Sequence, residues 1–149
     1  MSSDRNEKIR TGLRVVTRKG VHIDVRRAAL KFAAWLRLHY DFPIRVTVYL
    51  YAVERLHSPP DEDIVSIFFQ PREKNKEPLI YLATGDYEEL VSEKGNIDDP
   101  LCSIVVTELA QHVINYQNWW FNHSWSKSKR TNRWEALVRE YATDVKDII

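Results

Sequence analysis

The chain has 149 residues, 44% hydrophobic and 29% charged, with a formal net charge of +1; that length suits one domain with a real core, and the balance of charge gives no global case for a nucleic-acid or membrane partner. Its single cysteine, Cys102, excludes an internal disulfide framework and a thiolate zinc cluster. The first ten residues are polar, without the apolar stretch of a signal peptide, and no run approaches the ~20 apolar residues of a membrane span. One cytoplasmic domain over 1–149 is expected, with 1–10 flexible and the oligomeric state open.

Residues 13–17 (LRVVT) predict a short strand closed by Lys19-Gly20. Asp24 then reads as a helix N-cap, and Val25, Ala28, Ala29, Phe32, Leu36 and His39 recur at helical spacing up to a stop before Phe42-Pro43. Residues 44–52 (IRVTVYLYA) alternate as a strand rich in β-branched and aromatic side chains. Ser58-Pro59-Pro60-Asp61 breaks the chain, 64–70 (IVSIFFQ) resumes it, and 78–83 (PLIYLA) is the last strand after a charged turn. Residues 87–94 read as a short helix stopped by Gly95. Asp98-Asp99-Pro100 is a strong start for a helix over 101–121, since acids and proline suit a first turn. A polar, basic loop at 122–132 (NHSWSKSKRTN) leads to a final helix over 134–149. This order predicts an α+β domain: a small antiparallel or mixed sheet of about four strands packed against an N-terminal, a central and a C-terminal helix.

The central helix is apolar nearly all round, which marks burial on most sides. Against that background Glu108, Gln111, His112 and Asn115 are spaced i, i+3, i+4, i+7 and share one side. Each costs about 1–3 kcal/mol if buried unpaired, so the stripe needs partners. Read from residues alone, it is a satisfied polar seam, with His112 bonded to Glu108 one turn earlier and the amides to backbone.

A resemblance gives the stripe a second meaning. The segments VVTRKGV (15–21), FAAWLRLHYDFPIRV (32–46), VYLYA (48–52), ATGDYEEL (83–90), Ser103-Ile104 and QHVINYQNW (111–119) resemble short bacterial or phage zinc-metallopeptidase-like proteins close to the minimal gluzincins. The resemblance covers most of the chain and implies a zincin-like fold. In its register Gln111 stands at the first histidine of HExxH, His112 at the glutamate and Asn115 at the second histidine. Two histidines four apart offer imidazoles to one Zn²⁺ from successive turns. Amide oxygens are weak ligands for a metal that prefers nitrogen and sulfur. The glutamate would take a proton from zinc-bound water, and without metal His112 has no acidified water to work on. An alternative register over Thr107-Glu108-Leu109-Ala110-Gln111 keeps a glutamate but again lacks both histidines. The third ligand of the family comes from a later helix, where Glu135 fits by position and Glu140 is an alternative.

The reading is a catalytically inactive metallopeptidase-like protein, without metal or cofactor, whose vestigial site is Gln111, His112, Asn115 and Glu135. It would act on a protein or peptide partner, as a phage-encoded interaction protein modulating a host factor would. Trp119, Trp120 and Trp125 are the candidate partner-binding residues, since aromatics not spent on a core mark contact sites. The alternative is a metal-dependent peptidase with unorthodox ligands Glu108, His112 and Glu135. A nucleic-acid surface on 126–133, between Trp125 and Trp134, is less favoured than a solvated connector. Cys102 reads as an inert buried thiol.

Overall fold

The computed structural model of the protein describes residues 9–58, 62–87 and 104–147. The expected helix at 87–94 beyond its first residue, the Asp98-Asp99-Pro100 helix start, Cys102 and Ser103 lie outside the described residues. Arg10, expected in a flexible leader, is tied down. Its guanidinium meets the Glu77 carboxylate through two hydrogen bonds of 2.8 Å, and its carbonyl accepts the Arg45 N–H at 2.7 Å.

Strand β1 (Leu13–Thr17) and helix α1 (Ile23–His39) form where the sequence pattern places them. The cap of α1 is His22, not Asp24. His22 Nδ1 accepts the Asp24 N–H at 3.0 Å, so Asp24 falls in the first turn, where an acid suits the positive helix end. The helix stops where Tyr40 becomes extended, before Phe42-Pro43. Val25, Ala29, Phe32 and Leu36 are buried against the sheet, whereas His39 stays outside, its ring tilted at 31° with its centroid 4.4 Å from that of Trp35.

Strand β2 (Val46–Tyr51) begins later than expected because Ile44 has another partner. The Tyr116 hydroxyl accepts the Ile44 N–H at 3.0 Å and donates to its carbonyl at 2.6 Å. The run 64–70 is divided between two sheets. β4 (Glu62–Ile64) pairs antiparallel with β3 (Leu56–Ser58), while β5 (Ser66–Phe69) pairs antiparallel with β6 (Leu79–Ala83). Val65 is the joint, its carbonyl accepting the Ala83 N–H at 2.8 Å. The main sheet runs β1-β2-β6-β5, with the first two pairings parallel and the last antiparallel.

Helix α2 (Ile104–Trp120) lies behind this sheet and helix α3 (Lys127–Asp147) packs on α2. Asn122 closes α2 in the left-handed region (φ 56°), and Lys74 bonds to the Trp120 carbonyl and to Asn122 Oδ1. α3 starts at Lys127, not near Trp134, so much of the expected basic loop is helix. Ser126 is its cap: Oγ accepts the Lys129 N–H at 3.1 Å and the carbonyl accepts the Arg130 N–H at 2.9 Å.

The chain is therefore α+β, with three helices and a mixed four-stranded sheet among the described residues. Val48, Leu50, Ile80 and Leu82 from the sheet meet Phe32, Leu36, Leu109 and Val113 from the helices in one core. The opposite sheet face carries Tyr49, Tyr51, Tyr81 and Phe69 in edge-to-face and stacked contacts, with the Arg18 guanidinium 5.0 Å above the Tyr49 ring. No helix among the described residues is long and apolar enough to cross a membrane.

Candidate functional site

The apolar majority of α2 fixes its rotation. Val106, Leu109, Ala110, Val113 and Tyr116 are buried, which leaves the polar stripe at the junction of α2 with β5 on one side and α3 on the other. The stripe divides there into two pairs.

Glu108 and His112 point toward β5. Ser66 Oγ donates to Glu108 Oε2 at 2.8 Å, and His112 Nε2 lies 2.8 Å from the same Oγ. A hydroxyl has one proton, so with that proton on Glu108 it is His112 Nε2–H that donates to Ser66. Nδ1 of the neutral ring is then the acceptor, and Asn115 Nδ2 stands 3.5 Å from it. Burial pushes the His112 imidazole down to about 4, so it is neutral at pH 7. The Glu108–His112 half of the seam is thus satisfied, through Ser66 of the edge strand instead of a direct bond, whereas the amides do not bond to backbone as expected: Asn115 contacts His112, and Gln111 has no hydrogen-bond partner among the described residues. With both ring nitrogens engaged, His112 presents no free base to a substrate.

Tyr87 comes close to the same carboxylate. Its ring is 1% exposed, its hydroxyl has no hydrogen-bond partner among the described residues, and burial first, then the nearby Glu108 charge, push its pKa upward.

Gln111 and Asn115 face α3 instead. They line a recess of about 170 Å³ with Lys127, Arg130, Thr131 and Trp134. This is where the resemblance would put zinc, and the residues do not fit it. Two neutral amides replace imidazoles, and two cations stand in the wall where a dication would need anions or neutral nitrogen. Glu135 is exposed and does not line the recess; Thr131 and Trp134 do. Glu140 lines a different cavity with Tyr40, Trp125 and Arg133. Of the unorthodox set, Glu108 and His112 converge on Ser66, while Glu135 sits on the outer face of α3. No group of three or more His, Cys, Asp or Glu among the described residues is placed to share a metal ion.

The three tryptophans differ in availability. Trp119 is 9% exposed and belongs to the core, in edge contact with Phe68 and Tyr116. Trp120 is half-buried, with Lys74 Nζ 5.6 Å over its ring. Trp125 has His123 stacked at 4.2 Å and the Arg133 guanidinium at 4.1 Å. Its ring is therefore already engaged by two neighbouring side chains.

Comparison of the chain with protein-family models, with curated proteins and with solved structures gives no match.

Three site features were not foreseen. Ser66 could have been found from alternation, because it shares the inward phase of 64–70 with Phe68, where a hydroxyl needs a buried partner. Lys127, Arg130 and Thr131 lie in a segment whose polar, basic composition predicts a loop, whereas the structure places them on α3. The tyrosine face follows from the alternation of Tyr49 and Tyr51 along β2.

Proposed function

We propose that the protein is a non-catalytic, zincin-like binding protein that acts on a protein or peptide partner in the cytoplasm. The observation that carries this reading is the divided stripe. The two positions that would hold zinc carry amides facing a recess walled by Lys127 and Arg130, and the position of the general base carries a neutral histidine bonded to Ser66. The former site keeps a concave surface and gives up the electrostatics of a metal centre. β5, whose Ser66 holds the other half of the stripe, is an edge strand of the sheet, and an edge strand offers backbone donors and acceptors to an extended segment.

The test is elemental analysis of protein purified without added metal, together with assay against a mixed peptide library. The expected result is sub-stoichiometric zinc and no cleavage, with saturable binding of one or more peptides. Stoichiometric zinc that is lost on chelation along with peptidase activity would overturn the reading.

A further inference from the structure

The recess between α2 and α3 has a one-sided chemistry. Each of its lining residues brings a hydrogen-bond donor: the carboxamides of Gln111 and Asn115, the Lys127 ammonium, the Arg130 guanidinium, the Thr131 hydroxyl and the Trp134 indole N–H. None of the described residues lining it is a carboxylate. Arg130 uses one nitrogen on the Trp125 carbonyl at 2.9 Å, which fixes the guanidinium and leaves its other N–H groups available. The side chains of Gln111, Lys127, Thr131 and Trp134 have no hydrogen-bond or ion-pair partner among the described residues. The imbalance is one of charge: two cations line the recess with no carboxylate among its described residues, and the amides and hydroxyl beside them can donate as well as accept.

The setting sharpens the imbalance. Lys127 and Arg130 stand in the first turn of α3, the positive end of the helix dipole, where cations are disfavoured and anions favoured. Among the described residues, neither acid closest in sequence to the lining residues relieves it: Glu108 is turned to Ser66, and Glu135 is exposed and does not line the recess. A water takes about 30 Å³ of liquid volume, so a recess of about 170 Å³ has room for about five or six waters. That is ample room for a carboxylate with its adjoining methylenes and some water beside it.

We infer that this recess is an oxyanion site that takes the side-chain carboxylate of an acidic peptide. The inference rests on the peptide-binding reading above and gives that partner a charge class. The planar carboxylate accepts from the Arg130 fork, Lys127 closes the open side, and the indole and carboxamide N–H groups fill its remaining lone-pair directions.

The test uses the full-length ¹⁵N-labelled chain. Its probes are an N-acetylated, C-amidated peptide of glutamate and alanine, the glutamine counterpart, and inorganic phosphate. The signals followed are the Trp134 indole N–H, the Gln111 and Asn115 side-chain amides and Arg130 Nε–H. Saturable shifts of these signals with the glutamate peptide are expected, with no such shifts from the glutamine peptide. Binding should weaken at least tenfold in Lys127→Gln/Arg130→Gln and measurably in Lys127→Gln alone. The single variant guards against misfolding, because Lys127 is exposed and its side chain has no hydrogen-bond or ion-pair partner among the described residues.

Response to phosphate with none to the glutamate peptide overturns the carboxylate assignment, as does unchanged binding in both variants. Equal binding of the glutamine peptide, or shifts confined to other regions, overturns the oxyanion site and leaves the peptide-binding reading standing. Zinc uptake that shifts the Gln111 and Asn115 signals overturns both.

Discussion

Lowering the pH from 7 to 5 should weaken the fold through one buried imidazole. Free histidine titrates near 6.5, and burial holds His112 at about 4. As pH falls the unfolded chain takes up this proton first, so the contribution is complete above 6.5 and is lost between 6.5 and about 4. At pH 5 most unfolded molecules carry the proton and only about one folded molecule in ten does. The difference is about 2 kcal/mol, approaching about 3 kcal/mol below pH 4. Carboxylates titrate over part of the same range, so the measurement is a difference between two proteins. His112→Gln keeps an N–H donor toward Ser66 and does not titrate. Urea unfolding followed by tryptophan fluorescence at pH 7, 6 and 5 should show wild type losing about 2 kcal/mol more than the variant by pH 5. The absolute stability of the variant does not matter, only its dependence on pH. Parallel profiles for the two proteins would refute the argument, and so would a His112 ring resonance that titrates near 6.5.

Four further outcomes follow from the geometry. Ser66→Ala removes the hydroxyl shared by Glu108 and His112 and should cost about 1–3 kcal/mol in chemical denaturation. Tyr116→Phe strips the Ile44 N–H and carbonyl of their buried partner, so a loss of similar size, about 1–3 kcal/mol, is expected. Ser126→Ala deletes the α3 cap and should cost about 1 kcal/mol, with hydrogen exchange accelerated in the first turn of α3 before the rest. Gly85→Ala would bring a Cβ to 2.5 Å from the Val53 backbone, a contact that only backbone movement relieves, and thermal denaturation should show a clear drop in Tm.

Elements whose local pattern and tertiary role agree were legible from sequence. β1, α1 and β6 formed where alternation or helical spacing placed them, because one apolar face in each meets the core. Failures came where one residue served two purposes. The run 64–70 looked continuous, yet its halves belong to different sheets, and hydrophobicity carries no mark of the change at Val65. The α3 start is obscured in the sequence for an electrostatic reason. Lys127, Lys129 and Arg130 oppose the helix dipole, so charge argued for a loop while the Ser126 cap argued for a helix. Within the site, the stripe and its need for partners were readable from spacing. Which partner it takes was not, since Ser66 is distant in sequence and becomes a neighbour of Glu108 and His112 only through the packing of α2 on β5.

That helix start bears on the function. A segment whose charges conflict with its own secondary structure costs stability, and such conflicts concentrate where a chain interacts with something else. In α3 the conflict coincides with the recess that contains Gln111 and Asn115. The two halves of the stripe therefore differ in what they can do. Glu108 and His112 are part of the fold, closed on Ser66. Gln111 and Asn115 remain at an open concave surface among cations that no described residue neutralises. A metal centre and an oxyanion site require opposite potentials from the same walls, and Lys127 with Arg130 supplies the second. The decisive comparison is thus between Zn²⁺ and a carboxylate at one position, and the sign of charge in the α3 first turn favours the carboxylate.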